Sequence, residues 1–240
     1  MSTGTSALPA SGAGQSDGIG GRALGARSWT FWRLISAALP VGAFHYSQGL
    51  ETAVARDAIT DRASAQDWLL GVLRHGIGSL DLPLIDRVMR ASARNDLDAV
   101  HRWDDRSIAY RETAELRREE LDMGAALVRW AAATQADLPR GIASYAACFG
   151  VLAERTGIDR DAALAGYAWA WLENITLAAT KLVPLGHLEA QAMLTQVAGD
   201  IEAVVAAARA LGDEELGANT VGLLLMSAAH ESQPSRLFRS

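Results

Sequence analysis

The chain has 240 residues, half of them apolar, and a formal net charge of −6. That acidic balance excludes the basic face nucleic acid demands, and a single cysteine, Cys148, excludes an internal disulfide and points to a reducing, cytoplasmic setting. The longest uncharged apolar run, 216–230, falls short of the roughly 20 residues that span a bilayer, so no membrane segment is expected.

Residues 1–28 are rich in Gly, Ser and Ala and bury too little surface to offset chain entropy; a flexible tail is expected there. They lack the basic start and apolar segment of a signal peptide. A short apolar helix is predicted over 29–38, stopping before Pro40. The segment Leu39-Pro40-Val41-Gly42-Ala43-Phe44-His45-Tyr46-Ser47-Gln48-Gly49-Leu50-Glu51 opens as a turn and then sets three rings in a row. Packing alone would ask for leucine or valine here, so Phe44, His45, Tyr46 and Gln48 are predicted to form a crevice that meets a partner.

A helix over 45–55 follows. Thr60-Asp61 offers an N-cap to a helix through Trp68 and Leu73 that Gly76 and Gly78 are expected to end. Pro83 suits the first turn of a helix to about residue 94, and Asp96 caps a polar one carrying His101 and Trp103. Further helices are predicted over 112–134, 141–155, 159–181, 188–211 and 214–229. No period-2 stretch lies between hairpin turns. The fold class is therefore all-α, a single-domain bundle of about ten helices over 29–229. The helix 159–181 is apolar nearly all round and is expected to be central. Its exceptions, Glu173, Asn174, Thr176, Thr180 and Lys181, form a polar sector. Pro234 then stops the last helix, leaving 230–240 as a projecting arm with Leu237 and Phe238 between Arg236 and Arg239.

Chemistry finds no owner. The five histidines lack metal-site spacing, His230-Glu231 lacks the second histidine of a zincin, and no phosphate-binding glycine loop exists. Asp104-Asp105 reads as solvated helix surface. Catalytic and metal-ligating residues are thus expected to be absent, and no cofactor is implied. Glu120 shares a stripe with Leu116, Met123, Leu127 and Trp130, so its carboxylate must find an internal cation, for which Arg117 is in reach, or a partner's.

The segment 39–51 closely resembles the signature stretch of the UreF-type urease accessory proteins. Arg111 to Glu120 with Met123-Gly124 looks like that family's acidic-basic helix motif, Lys181-Leu182-Val183-Pro184-Leu185-Gly186 like its lysine-valine-proline-leucine-glycine turn, and Ser235-Arg236-Leu237-Phe238-Arg239-Ser240 like its tail. The resemblance implies a non-enzymatic, all-helical homodimer. It would join a UreD/UreH-type scaffold protein to a nickel-carrying UreG-type GTPase acting on urease apoprotein. Nickel would be handled by the complex, and Phe44, His45, Tyr46, Gln48, Glu120, Lys181, Arg236, Leu237, Phe238 and Arg239 would bind partners. A helical enzyme with titratable groups clustered in a pocket, or an all-α small-ligand-binding regulator with a closed apolar cavity, are the competing classes.

Overall fold

The computed structural model describes residues 26–217 and 220–240; most of the predicted tail lies outside them. Eleven α-helices and no strand occur among the described residues: α1 (Ala26–Leu34), α2 (Leu50–Ala55), α3 (Arg62–Val72), α4 (Leu82–Ala93), α5 (Leu97–Ala109), α6 (Ala114–Ala133), α7 (Tyr145–Thr156), α8 (Arg160–Leu182), α9 (His187–Ala198), α10 (Ile201–Ala210) and α11 (Val221–His230). The chain folds as the all-α bundle its sequence predicts, and short polar side chains cap five of its helices. Asp61, Asp96, Thr113, Ser144 and Asp159 each accept a hydrogen bond from a backbone N–H in the first turn of α3, α5, α6, α7 and α8. Asp104 adds to this, since its carboxylate is buried and accepts from Ala143 and Ser144 N ahead of α7. It is not the solvated surface residue its sequence neighbourhood suggests.

Three predicted boundaries fail. Gly76 and Gly78 do not end a helix: the chain passes from α3 through a π-helical stretch, Leu73–Asp81, straight into α4. A Cβ on Gly78 would stand 2.6 Å from Val204 Cγ1, so glycine here lets α10 pack close. Pro83 has no N–H for the Ser79 carbonyl four residues back; Gly217 N donates to that carbonyl instead, at 3.1 Å. The predicted helix 188–211 breaks at Gly199-Asp200 into α9 and α10, and the one predicted over 214–229 starts only at Val221.

α8 touches α2, α3, α4, α9 and α10, as a central helix should, yet Asp161, Ala162 and Leu177 stay exposed on it. α7 is the helix enclosed nearly all round, packed by α1, α4, α5 and α6. The expected polar sector of α8 is uneven. Lys181 is exposed, but Thr176 is buried and its hydroxyl finds no protein partner.

Candidate functional site

Gly42 and Gly49, with φ of 80° and 79°, bracket the turn that the sequence singles out. Between them a single 3-10 turn, Ala43–His45, throws the rings to different sides. Phe44 is 54 % exposed and His45 is exposed beside it, ring centroids 4.0 Å apart. Tyr46 faces inward and is buried. Burial, with the carboxylates of Asp122 and Glu119 nearby, pushes its hydroxyl above the usual tyrosine range against the pull of the Arg239 guanidinium. Of the four turn residues expected at a surface, only Phe44 and His45 lie fully on it.

Gln48 points into the domain. Its amide donates to Glu119 Oε1 at 2.7 Å and accepts from Trp171 Nε1 at 2.8 Å. Behind it lies a cavity of about 60 Å³, lined among others by Tyr46, Gln48, Arg111, Glu119, Glu120 and Trp171. That is room for a few waters. Glu120 is buried, so it cannot serve as a partner's surface contact. Its cation is not the predicted Arg117 but Arg111, whose Nη2 donates to Glu120 Oε2 at 2.7 Å and to Asp81 Oδ1 at 2.6 Å. Ser107 Oγ and Ala146 N also donate to Glu120, and Tyr167 donates to Asp81. Burial opposes the Arg111 charge, but Asp81 and Glu120 outweigh it and hold the guanidinium above its ordinary value. Burial drives the Glu120 carboxyl upward despite Arg111. Arg111 lies just before α6, and side chains nine and thirty residues away in sequence meet on it because the end of the π-helical stretch and the first half of α6 both reach it.

Glu119, the adjacent carboxylate, was missed in the sequence. It is buried, and desolvation pushes it up to about 7 although Gln48 and Ser240 donate hydrogen bonds to it. Three carboxylates (Asp81, Glu119, Glu120) thus line the cavity with one guanidinium. No group of three or more His, Cys, Asp or Glu among the described residues is placed to hold a metal ion.

The C-terminal arm does not project. Residues 236–240 lie against the turn: Arg239 N donates to the His45 carbonyl at 2.8 Å, and Ser47 N to the Ser240 carbonyl at 2.7 Å. Ser240 Oγ donates to Glu119 Oε2 at 2.9 Å. Phe238 is buried, and Lys181 Nζ sits 5.5 Å from its ring centroid. The expectation of a free arm failed because the domain itself offers the pocket that Phe238 needs. Leu237, by contrast, is 63 % exposed. Three further residues to which the sequence reading gave no role hold the arm. Glu51 accepts from Leu237 N and Phe238 N at 2.7 and 2.9 Å, Glu115 accepts from Arg236 Nη1 at 2.9 Å, and His230 lies between these two carboxylates. The only sequence signal was that Glu115 and Glu119 sit four apart, on one side of α6.

Among the described residues no helix is long and apolar enough to cross a membrane. A family model described as UreF matches residues 59–198. Relatives named urease accessory protein UreF include one from Teredinibacter turnerae, 46% identical over 214 residues, covering 86% of this chain and 96% of its own length. Another, from Chromohalobacter salexigens, is 43% identical over 213 residues, with 87% and 92% covered. One from Thermosynechococcus vestitus is 38% identical over 218 residues, with 88% and 96% covered.

Proposed function

Because this chain belongs to the UreF family of urease accessory proteins, we propose that it serves urease maturation as a non-enzymatic bridge. One surface meets the nickel-carrying UreG-type GTPase and another the UreD/UreH-type scaffold protein, in a cytoplasmic complex that loads urease apoprotein. The chain acts as a homodimer, and nickel is cargo of the complex.

One observation carries the bridging reading: this domain keeps large side chains in water beside ordered polar ones, at two places. The first is the turn face, where exposed Phe44 and His45 stand over α8 with Leu177 and Lys181 also exposed. The second is the last helix and its arm. α11 carries no Asp, Glu, Lys or Arg, and shows Val221 and Leu225, one turn apart, at 67 and 61 % exposure; Leu237 follows on the arm. Apolar surface left in water is a mark of a protein-binding site. The turn face suits the GTPase and the arm with α11 the scaffold. The buried Tyr46, Glu120 and Phe238, with the inward-pointing and partly buried Gln48, shape these faces from below and do not touch a partner.

Size-exclusion chromatography of purified components tests the assignment. Phe44→Ala with His45→Ala is expected to lose the GTPase and keep the scaffold, and Val221→Asp with Leu237→Asp to do the reverse. Retention of both partners by both variants would overturn the bridge, and light scattering of the free protein at monomer mass would overturn the dimer.

A further inference from the structure

His230 is wholly buried, and both of its ring nitrogens face carboxylate oxygens: Nδ1 lies 2.8 Å from Glu115 Oε2 and Nε2 lies 3.2 Å from Glu51 Oε2. An ionised carboxylate can only accept, and a neutral imidazole has a single N–H to give. Neither acid is free to turn aside. Glu51 is fixed by Leu237 N and Phe238 N, and Glu115 by Arg236 Nη1. With a neutral ring, a carboxylate oxygen would face a nitrogen lone pair at hydrogen-bond distance with no water between them.

We propose that the arm 236–240 is a proton-dependent strap, pinned by a doubly protonated His230 between Glu51 and Glu115 and released when that proton is lost. The charges support this. α2 contributes Glu51, α6 contributes Glu115, and the arm contributes Arg236; the next residue on α11, Glu231, is turned away to accept from Ala114 N. With an imidazolium the cluster has two cations and two anions. Without it, one negative charge is left uncompensated against a wholly buried ring, which is unfavourable. Detaching the arm relieves that state by freeing both carboxylates to turn to water. The strapped chain therefore binds a proton that the open chain need not hold, and attachment weakens by up to about tenfold per pH unit where that proton is lost. The inference concerns the isolated chain and holds whether or not the arm meets a partner.

Two measurements on the full-length protein test it. Hydrogen exchange at the Leu237 and Phe238 amides, corrected for intrinsic rates, is expected to lose protection as pH rises over the range in which the domain stays folded, following the one-proton slope. Over the same range, nitrogen NMR of the His230 ring is expected to show both nitrogens protonated wherever those amides are protected. The variant Glu115→Gln leaves a single carboxylate on the ring, which a neutral imidazole satisfies, so its residual protection should no longer vary with pH. A singly protonated ring beneath a protected strap, protection flat with pH in the wild type, or an unchanged slope in Glu115→Gln would each overturn the proposal.

Discussion

Gln48 and Glu119 are joined by a 2.7 Å hydrogen bond that ties the turn after α1 to the inner face of α6. The same carboxylate takes the Ser240 hydroxyl on its other oxygen, so one side chain holds turn, helix and arm together. Burial pushes this carboxyl up to about 7.

Stability should therefore depend on pH through Glu119. A carboxyl whose folded value exceeds its unfolded one binds its proton more tightly in the folded chain. Its favourable contribution is full below about 4.5, falls as pH rises, and is gone above about 7. The loss over that window is on the order of 3 kcal/mol. Glu119→Gln keeps the shape and cannot ionise, so it should remove this slope. Urea unfolding at about pH 5 and pH 8 measures it: the variant should gain on the wild type at the higher pH, and an equal difference at both would rule the effect out.

Local chemistry was legible in the sequence and long-range pairing was not. Asp61, Asp96 and Asp159 announce their helices because a cap acts within three residues. Glu120 announced that it needed a cation, but the choice of Arg111 over Arg117 depends on how the segment before α6 meets Asp81 at the end of the π-helical stretch. Gly78 carries the same letter whether it ends a helix or admits a neighbour, and only Val204 of α10 decides. Ser47 and Ser240 pair across 193 residues, so no periodicity could show that the arm folds home. The turn was picked out correctly as unusual, yet which of its rings faces water is fixed by the 3-10 turn.

Phe44 and Tyr46 should separate surface from support. Tyr46→Ala empties a buried site and is expected to cost about 3–5 kcal/mol. Phe44→Ala removes an exposed ring and should stay within about 0.5 kcal/mol. Denaturant curves of the two variants check this. Comparable destabilisation would mean that Phe44 is packed in solution.

Glycine spacing gives a paired test on helices. A Cβ at Gly124 would stand 2.0 Å from the Ala143 carbonyl oxygen, a backbone atom that cannot step aside. Gly124→Ala should cost about 3 kcal/mol or more, because α6 would be forced off the segment that caps α7. Gly71 lies within α3 with nothing in 4 Å of its Cβ position. Gly71→Ala should add about 0.5–1 kcal/mol, since alanine gives up less chain entropy in a helix. Thermal melts that rank the two the other way would contradict the packing of α6.

Lys181 and Phe238 offer the most direct reading of how firmly the arm is seated. Phe238 is buried, whereas its neighbour Leu237 is 63 % exposed. Truncating the first should therefore loosen the arm, and truncating the second should leave it seated. The loss of global stability in Phe238→Ala has a ceiling. Once the arm detaches, the remaining domain no longer feels the substitution, so the variant should match a chain shortened by residues 236–240. Lys181 Nζ over the Phe238 ring adds a cation–π contact of about 0.5–1 kcal/mol, since the lysine itself is exposed. Lys181→Ala alone should cost that amount, and in the Phe238→Ala background it should cost nothing. A double-mutant cycle, read by the protease susceptibility of the arm, measures the difference. A coupling indistinguishable from zero, with Phe238→Ala still loosening the arm, would show that the ring is held by burial alone.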